Sequence, residues 1–203
     1  MEENGKSIKV ILLGESGVGK TSIILRYYQN QFEPNSLSTI GSTYIIKQIK
    51  KDNMKYNLNI WDTSGQEKYR AVTKLFVQNA NIVILVYSIV EEKSFEALDY
   101  WYTSILDTFE NKDKIVFAIV GNKYDLFTES DTVSEEDAMK FAEEKKAIFK
   151  LVSAKSDKKG LDSLFEQLLN EYIKKNPEQN ISQKNFKIQI KKENKKGNSR
   201  QCC

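Results

Sequence analysis

The sequence predicts an α/β fold, a mostly parallel sheet with helices on both faces, and two observations carry that prediction. Residues 82–87 and 115–120 are near-continuous apolar runs, which is the pattern of strands covered on both faces. Between them, Phe95, Leu98, Tyr102, Ile105, Leu106 and Phe109 recur at the i, i+3, i+4 spacing of an amphipathic helix. A strand, a crossover helix and a second strand make a right-handed parallel unit.

The remaining elements follow in chain order. Residues 8–13 are short, apolar and branched, and they run into Gly14 as a buried strand would. A glycine-rich turn leads to a helix over 20–30, with Ile23, Ile24, Tyr27 and Tyr28 on one face. Residues 44–49 and 56–61 alternate as strands, and Lys51, Asp52 and Asn53 join them into a hairpin that supplies the sheet's one antiparallel strand. Ser134 followed by Asp137 forms a capping box for a helix through Ala138, Phe141 and Ala142. A strand over 148–152 precedes a last helix carrying Leu161, Leu164, Phe165, Leu168, Leu169 and Tyr172, with Gly160 just before it and Pro177 just after. One folded domain is therefore expected over 1–175. The stretch 176–203, rich in Lys, Asn and Gln and poor in apolar residues, is expected to be disordered.

Composition removes several function classes. The 203 residues include no histidine, so imidazole cannot serve as base, metal ligand or neutral-pH sensor, and hydrolase triads and zinc enzymes are disfavoured. The two cysteines, Cys202 and Cys203, are adjacent at the end of the chain, where a cross-link could not staple a core, and a reducing compartment fits. Residues 176–203 carry seven Lys/Arg against two acids, whereas residues 1–175 carry 24 against 26. The body is thus slightly acidic, unlike a surface built to grip nucleic acid. The polar, acidic start predicts no secretory leader, and the longest apolar run is too short to span a bilayer.

Residues 14–21, Gly-Glu-Ser-Gly-Val-Gly-Lys-Thr, match the phosphate-loop pattern G-x-x-x-x-G-K-[ST] and lie between a predicted strand and a predicted helix. In such a loop, glycines let backbone N–H groups turn around an anion and the helix adds its positive end. Ser16, Gly17, Val18, Gly19 and Ser22 would surround the phosphates, Lys20 would reach the terminal ones, and the Thr21 hydroxyl would ligate Mg2+. The pattern establishes a nucleoside triphosphate without naming its base.

Asn122-Lys123-Tyr124-Asp125 follows an apolar strand, and Ser153-Ala154-Lys155 comes later. With the phosphate loop, their spacing resembles the small GTPases of the Ras superfamily. A carboxylate such as Asp125 can accept hydrogen bonds from guanine N1–H and its exocyclic amine, whereas adenine presents an acceptor at N1 and has no amine at position 2. Trp61-Asp62-Thr63-Ser64-Gly65-Gln66-Glu67 resembles the family's WDTAGQE segment, with serine replacing the usual alanine. The resemblance implies that Asp62 holds Mg2+ through water, that the Gly65 N–H senses the γ-phosphate, and that Gln66 orients the attacking water. It also makes Thr39 the residue of the first switch that completes the Mg2+ shell in the triphosphate state, and Phe32 the aromatic flanking the guanine ring.

STIG (38–41), WDTSGQEKYRAVT (61–73), GNKYDL (121–126), SAK (153–155) and the terminal Cys-Cys together most resemble Rab proteins. Residues 41–44 and 76–80 depart from the usual Rab segments that help choose partners. The resemblance implies a GTPase domain over 1–175 and a basic hypervariable tail over 176–203 whose Cys202 and Cys203 receive geranylgeranyl groups. Two chains anchor stably where one is marginal, and Lys184, Lys187, Lys191, Lys192, Lys195, Lys196 and Arg200 add attraction to anionic lipid. It further implies slow hydrolysis of GTP to GDP aided by Lys20 and Gln66. The expected setting is a monomeric switch on the cytoplasmic face of endomembranes, cycling with cytosol. An exchange factor, an activating protein, a GDP-dissociation inhibitor and effectors would serve it, and no nucleic acid would. Two rival readings are a GTP-holding module with negligible hydrolysis, against which Gln66 and Thr39 speak, and a phosphate-loop small-molecule kinase, which would need a lid that no insertion supplies.

Overall fold

The computed structural model describes residues 5–34, 39, 42–64, 70–128 and 132–177. Six strands, β1 (Lys6–Leu13), β2 (Ser42–Lys51), β3 (Met54–Thr63), β4 (Ile82–Ser88), β5 (Val116–Asn122) and β6 (Ile148–Leu151), form one sheet in the order β2-β3-β1-β4-β5-β6. Five helices accompany them: α1 (Lys20–Gln29), α2 (Arg70–Val77), α3 (Glu92–Leu106), α4 (Glu135–Glu144) and α5 (Lys158–Lys175). All neighbouring strands run parallel except β2, which pairs antiparallel with β3. The exception has a local cause: Asp52 and Asn53 take φ of 49° and 61°, and two left-handed residues close the tight turn that matches strand twist.

Every residue of β4 and β5 is buried, as their apolar runs require. Alternation splits each strand between two cores. On one face Val10, Leu12, Ile84, Val86 and Val120 meet Ile23 and Tyr27 of α1 and Leu164, Phe165 and Leu168 of α5. On the other, Ile11, Leu13, Leu85 and Ile119 meet Val77 of α2, Leu98 and Trp101 of α3, and Ala138 and Ala142 of α4. Burying each large side chain contributes about 2 kcal/mol, so these layers fix where the strand ends sit. The Tyr27 and Phe165 rings stack at 3.7 Å between centroids, locking α1 to α5.

Several local readings change. The apolar period over 95–109 overruns α3, which ends at Leu106; Phe109 lies beyond it yet stays buried by meeting Phe117 edge-on at 5.9 Å. Gly160 lies inside the first turn of α5, because the Asp157 side chain is the cap and accepts the Gly160 N–H at 2.7 Å. The expected strand over 148–152 stops at Leu151, and Val152 turns into the first core. Helix α2 carries no sequence expectation. Asn176, assigned above to the tail, is buried, its amide donating to Lys114 and Tyr172 carbonyls. The Ser134 cap is as expected, with Ser134 Oγ accepting the Asp137 N–H at 3.3 Å.

The strand order turns at β1, which is flanked by β3 on one side and β4 on the other, and a crevice opens there at the carboxyl ends of the strands. Gly14 ends β1 at φ 140°, and a Cβ there would lie 2.1 Å from the Val86 carbonyl oxygen. Only glycine lets the loop leave the sheet this close to β4.

Candidate nucleotide-binding site

The loop between β1 and α1 turns on Gly17 and Gly19, with φ of 81° and 95°. Gly19 caps α1 without a side-chain hydrogen bond, and no acid occupies the first turn, so the positive helix end faces the crevice unopposed. Lys20 is buried and folds back on the loop, its ammonium donating to the Gly14 and Glu15 carbonyls at 2.8 Å each. Burial pushes its pKa down to about 8, against the pull of the Asp62 and Glu15 carboxylates. A desolvated ammonium held by carbonyls is a strong attractor for phosphate. Val18 is wholly buried and contributes its carbonyl rather than its side chain.

Three oxygens from separate segments meet beside the lysine. Thr21 Oγ1 donates to Asp62 Oδ2 at 2.7 Å and lies 2.8 Å from Thr39 Oγ1, which itself reaches Asp62 Oδ2 at 3.3 Å. The other carboxylate oxygen, Asp62 Oδ1, is buried without a hydrogen-bond partner. Burial raises the Asp62 pKa, while Thr21, the Lys20 charge, Thr39 and the Thr63 N–H oppose the rise. One carboxylate with an unsatisfied buried oxygen and two hydroxyls form a donor set that fits Mg2+, a hard cation commonly held by one or two carboxylates together with substrate phosphates.

At the far end, Asn122 is buried and ties two loops together. Its amide N–H2 donates to the Val18 carbonyl at 2.9 Å, and its Oδ1 accepts the Ala154 N–H at 3.1 Å. Gly19 must lack a side chain here, since a Cβ would sit 2.3 Å from Asn122 Nδ2. Lys123 follows in the left-handed region at φ 68°, which swings Asp125 over the crevice. Ser153 Oγ donates to Asp125 Oδ1 at 2.5 Å, and Lys155 Nζ stands 3.7 Å from Asp125 Oδ2.

The resulting cavity of about 340 Å3 brings together Ser16, Gly17, Gly19, Lys20, Thr21, Ser22, Phe32, Thr39, Asn122, Lys123, Asp125, Ala154 and Lys155. Val18, Asp62 and Ser153 stand behind that lining and act through their partners. Gly65, Gln66, Cys202 and Cys203 lie outside the described residues. Pro34, Thr63 and Leu126 also line the cavity, and sequence reasoning missed them as site residues. Leu126 had a visible signal, since it directly follows Asp125. Trp101 had none, yet its indole N–H donates to Glu15 Oε1 at 3.0 Å and props the phosphate loop.

A family model described as Ras family matches residues 9–174. Among curated relatives, the Ras-related protein Rab-18 of Caenorhabditis briggsae is 36% identical over 167 residues, 82% of this chain and 81% of that protein. Rab-18 of Lymnaea stagnalis is 37% identical over 167 residues, again 82% and 81% of the two chains. Rab-21 of Geodia cydonium is 38% identical over 169 residues, 83% of this chain and 72% of the relative.

Replacing Asn122 by alanine strands a buried carbonyl and a buried N–H, each worth about 1–3 kcal/mol. GDP release measured by fluorescence should accelerate roughly a hundredfold, and release at the wild-type rate would contradict the bridging role.

Proposed function

The chain belongs to the Ras family as a Rab-like small GTPase of vesicle traffic, and from that premise we propose that a guanine nucleotide with Mg2+ spans the crevice from Lys20 to Asp125. The observation that carries this reading is the placement of a hydrogen-bonded carboxylate, Asp125, at one end of a cavity whose other end is a phosphate loop. The chain hydrolyses GTP to GDP and phosphate. Thr21, Thr39 and Asp62 would hold Mg2+, which offsets charge on the phosphate oxygens when bound. Lys20 and the N–H groups of the phosphate loop stabilise charge on the transferred group, and Gln66 orients the attacking water for in-line displacement.

The Arg26 guanidinium is committed to the Ala154 and Lys155 carbonyls at 2.7 and 2.6 Å, so it is not free to reach the transferred group. An activating protein therefore supplies the arginine, or an equivalent polar group, for fast turnover. Loss of the γ-phosphate removes the ligand of Thr39 and Gly65, releasing the two switch segments. An exchange factor, a GDP-dissociation inhibitor and effectors read those states.

Support for an effector face comes from β2 and β3. The Tyr44 ring lies 5.1 Å from that of Trp61, and Trp61 is 6.2 Å from Phe76. Tyr44, Ile46 and Leu75 are each more than half exposed. Such an exposed apolar patch suits a protein partner. Geranylgeranyl groups on Cys202 and Cys203, with the basic tail, hold the monomeric switch on the cytoplasmic face of endomembranes; among the described residues no helix is long and apolar enough to cross a membrane.

Three measurements test these proposals. In competition against labelled GDP with Mg2+, GTP should displace the label and ATP should not; preference for ATP would remove the guanine reading. Gln66→Leu should slow single-turnover hydrolysis at least tenfold in the presence of an activating protein, roughly the loss of one well-placed polar contact; equal rates would deny Gln66 its role. Deleting Cys202 and Cys203 should leave the protein wholly cytosolic on fractionation, and unchanged membrane partition would refute lipid anchoring.

A further inference from the structure

Arginine presents five N–H donors in a rigid plane, and Arg26 makes four hydrogen bonds from that plane. It stands in the last turn of α1, where its Nη1 donates to the carbonyl and side-chain oxygens of the helix cap Asn30, both at 3.1 Å. From the same guanidinium, Nε and Nη2 cross more than 125 residues of sequence to the consecutive carbonyls of Ala154 and Lys155. These are charge-assisted bonds to backbone, the stronger kind, at 2.7 and 2.6 Å.

The loop that Arg26 grips is the one that orients Asp125. Ala154 is held through its N–H by Asn122 and through its carbonyl by Arg26. Ser153, one residue earlier, donates to Asp125 Oδ1 and also accepts the Ser156 N–H, while Lys155, one residue later, places its ammonium near Asp125 Oδ2. On the other side, Asn30 precedes Phe32, which lines the same cavity, by two residues. One side chain thus links the helix whose start faces the phosphates to both walls of the base pocket. We infer that Arg26 is a positioning residue for guanine recognition, setting the 153–156 loop so that Asp125 meets both donors of the base. The inference rests on the guanine reading proposed above.

Inosine diphosphate lacks the exocyclic amine of guanine and so forfeits one of the two hydrogen bonds to Asp125, which makes it a probe of carboxylate placement. Release of ribose-labelled GDP and IDP is measured from the full-length protein, from Arg26→Ala and from Arg26→Lys. The alanine variant should release GDP roughly tenfold faster and IDP no more than about threefold faster, so that the preference for GDP shrinks. Arg26→Lys keeps charge and stem but offers one nitrogen; it should fall between, and it carries the comparison where the alanine variant does not fold. Equal acceleration of both nucleotides, or of neither, would overturn the assignment. Wild-type protein that releases both at the same rate would overturn the guanine reading, and the assignment with it.

Discussion

The side chain of Asn122 gives a hydrogen bond to the phosphate loop through the Val18 carbonyl and takes one from the 153–156 loop through the Ala154 N–H. Both partners are far away in sequence and both are buried, so the amide sets the distance between the two halves of the crevice. An unsatisfied buried polar group costs more than a hydrogen bond gains. The glycine at position 19 is part of the same constraint, since any side chain there would collide with the amide. The placement of Lys20 and Asp125 at opposite ends of one cavity follows from that bridge.

Charges inside the crevice are held under tension. Lys20 and Asp62 are both buried, and burial pushes each toward its neutral form, the lysine down and the aspartate up. Their own carbonyl and hydroxyl partners satisfy them only in part, since Asp62 Oδ1 has no hydrogen-bond partner. Anionic phosphate and a divalent cation would complete both sets at once, which is the physical sense in which the proposed pocket is preorganised. Thr39 enters this network through a hydroxyl 2.8 Å from Thr21, which ties the segment before β2 directly to the start of α1.

The sheet is covered unevenly. The helices pack over β1, β4, β5 and β6, while β2 presents Tyr44 and Ile46 to solvent beside Trp61 of β3. Lys47, on the opposite side of β2, donates to the Tyr27 carbonyl at 2.8 Å and lies 3.6 Å over its ring, pinning the strand to α1. The exposed side of β2 is thereby tied to α1 through its other side, which would suit a surface that partners read.

Much of this molecule is local and therefore visible in its residues alone. Strand type followed from period and apolar run, the hairpin from Asp52 and Asn53, the α4 cap from Ser134, and the phosphate loop from glycine spacing, because each depends on neighbours in the chain. The family follows from motifs of the same local kind. What the sequence could not supply were contacts between distant segments. Phe109 looked helical, although only Phe117 keeps it buried after α3 has ended. The indole of Trp101 meets Glu15, and α5, stacked on Tyr27, brings the 154–155 carbonyls to Arg26, contacts that no neighbouring residue signals. Periodicity records which side of an element is apolar; it does not record which loop arrives opposite a polar atom, and packing of the two cores decides that.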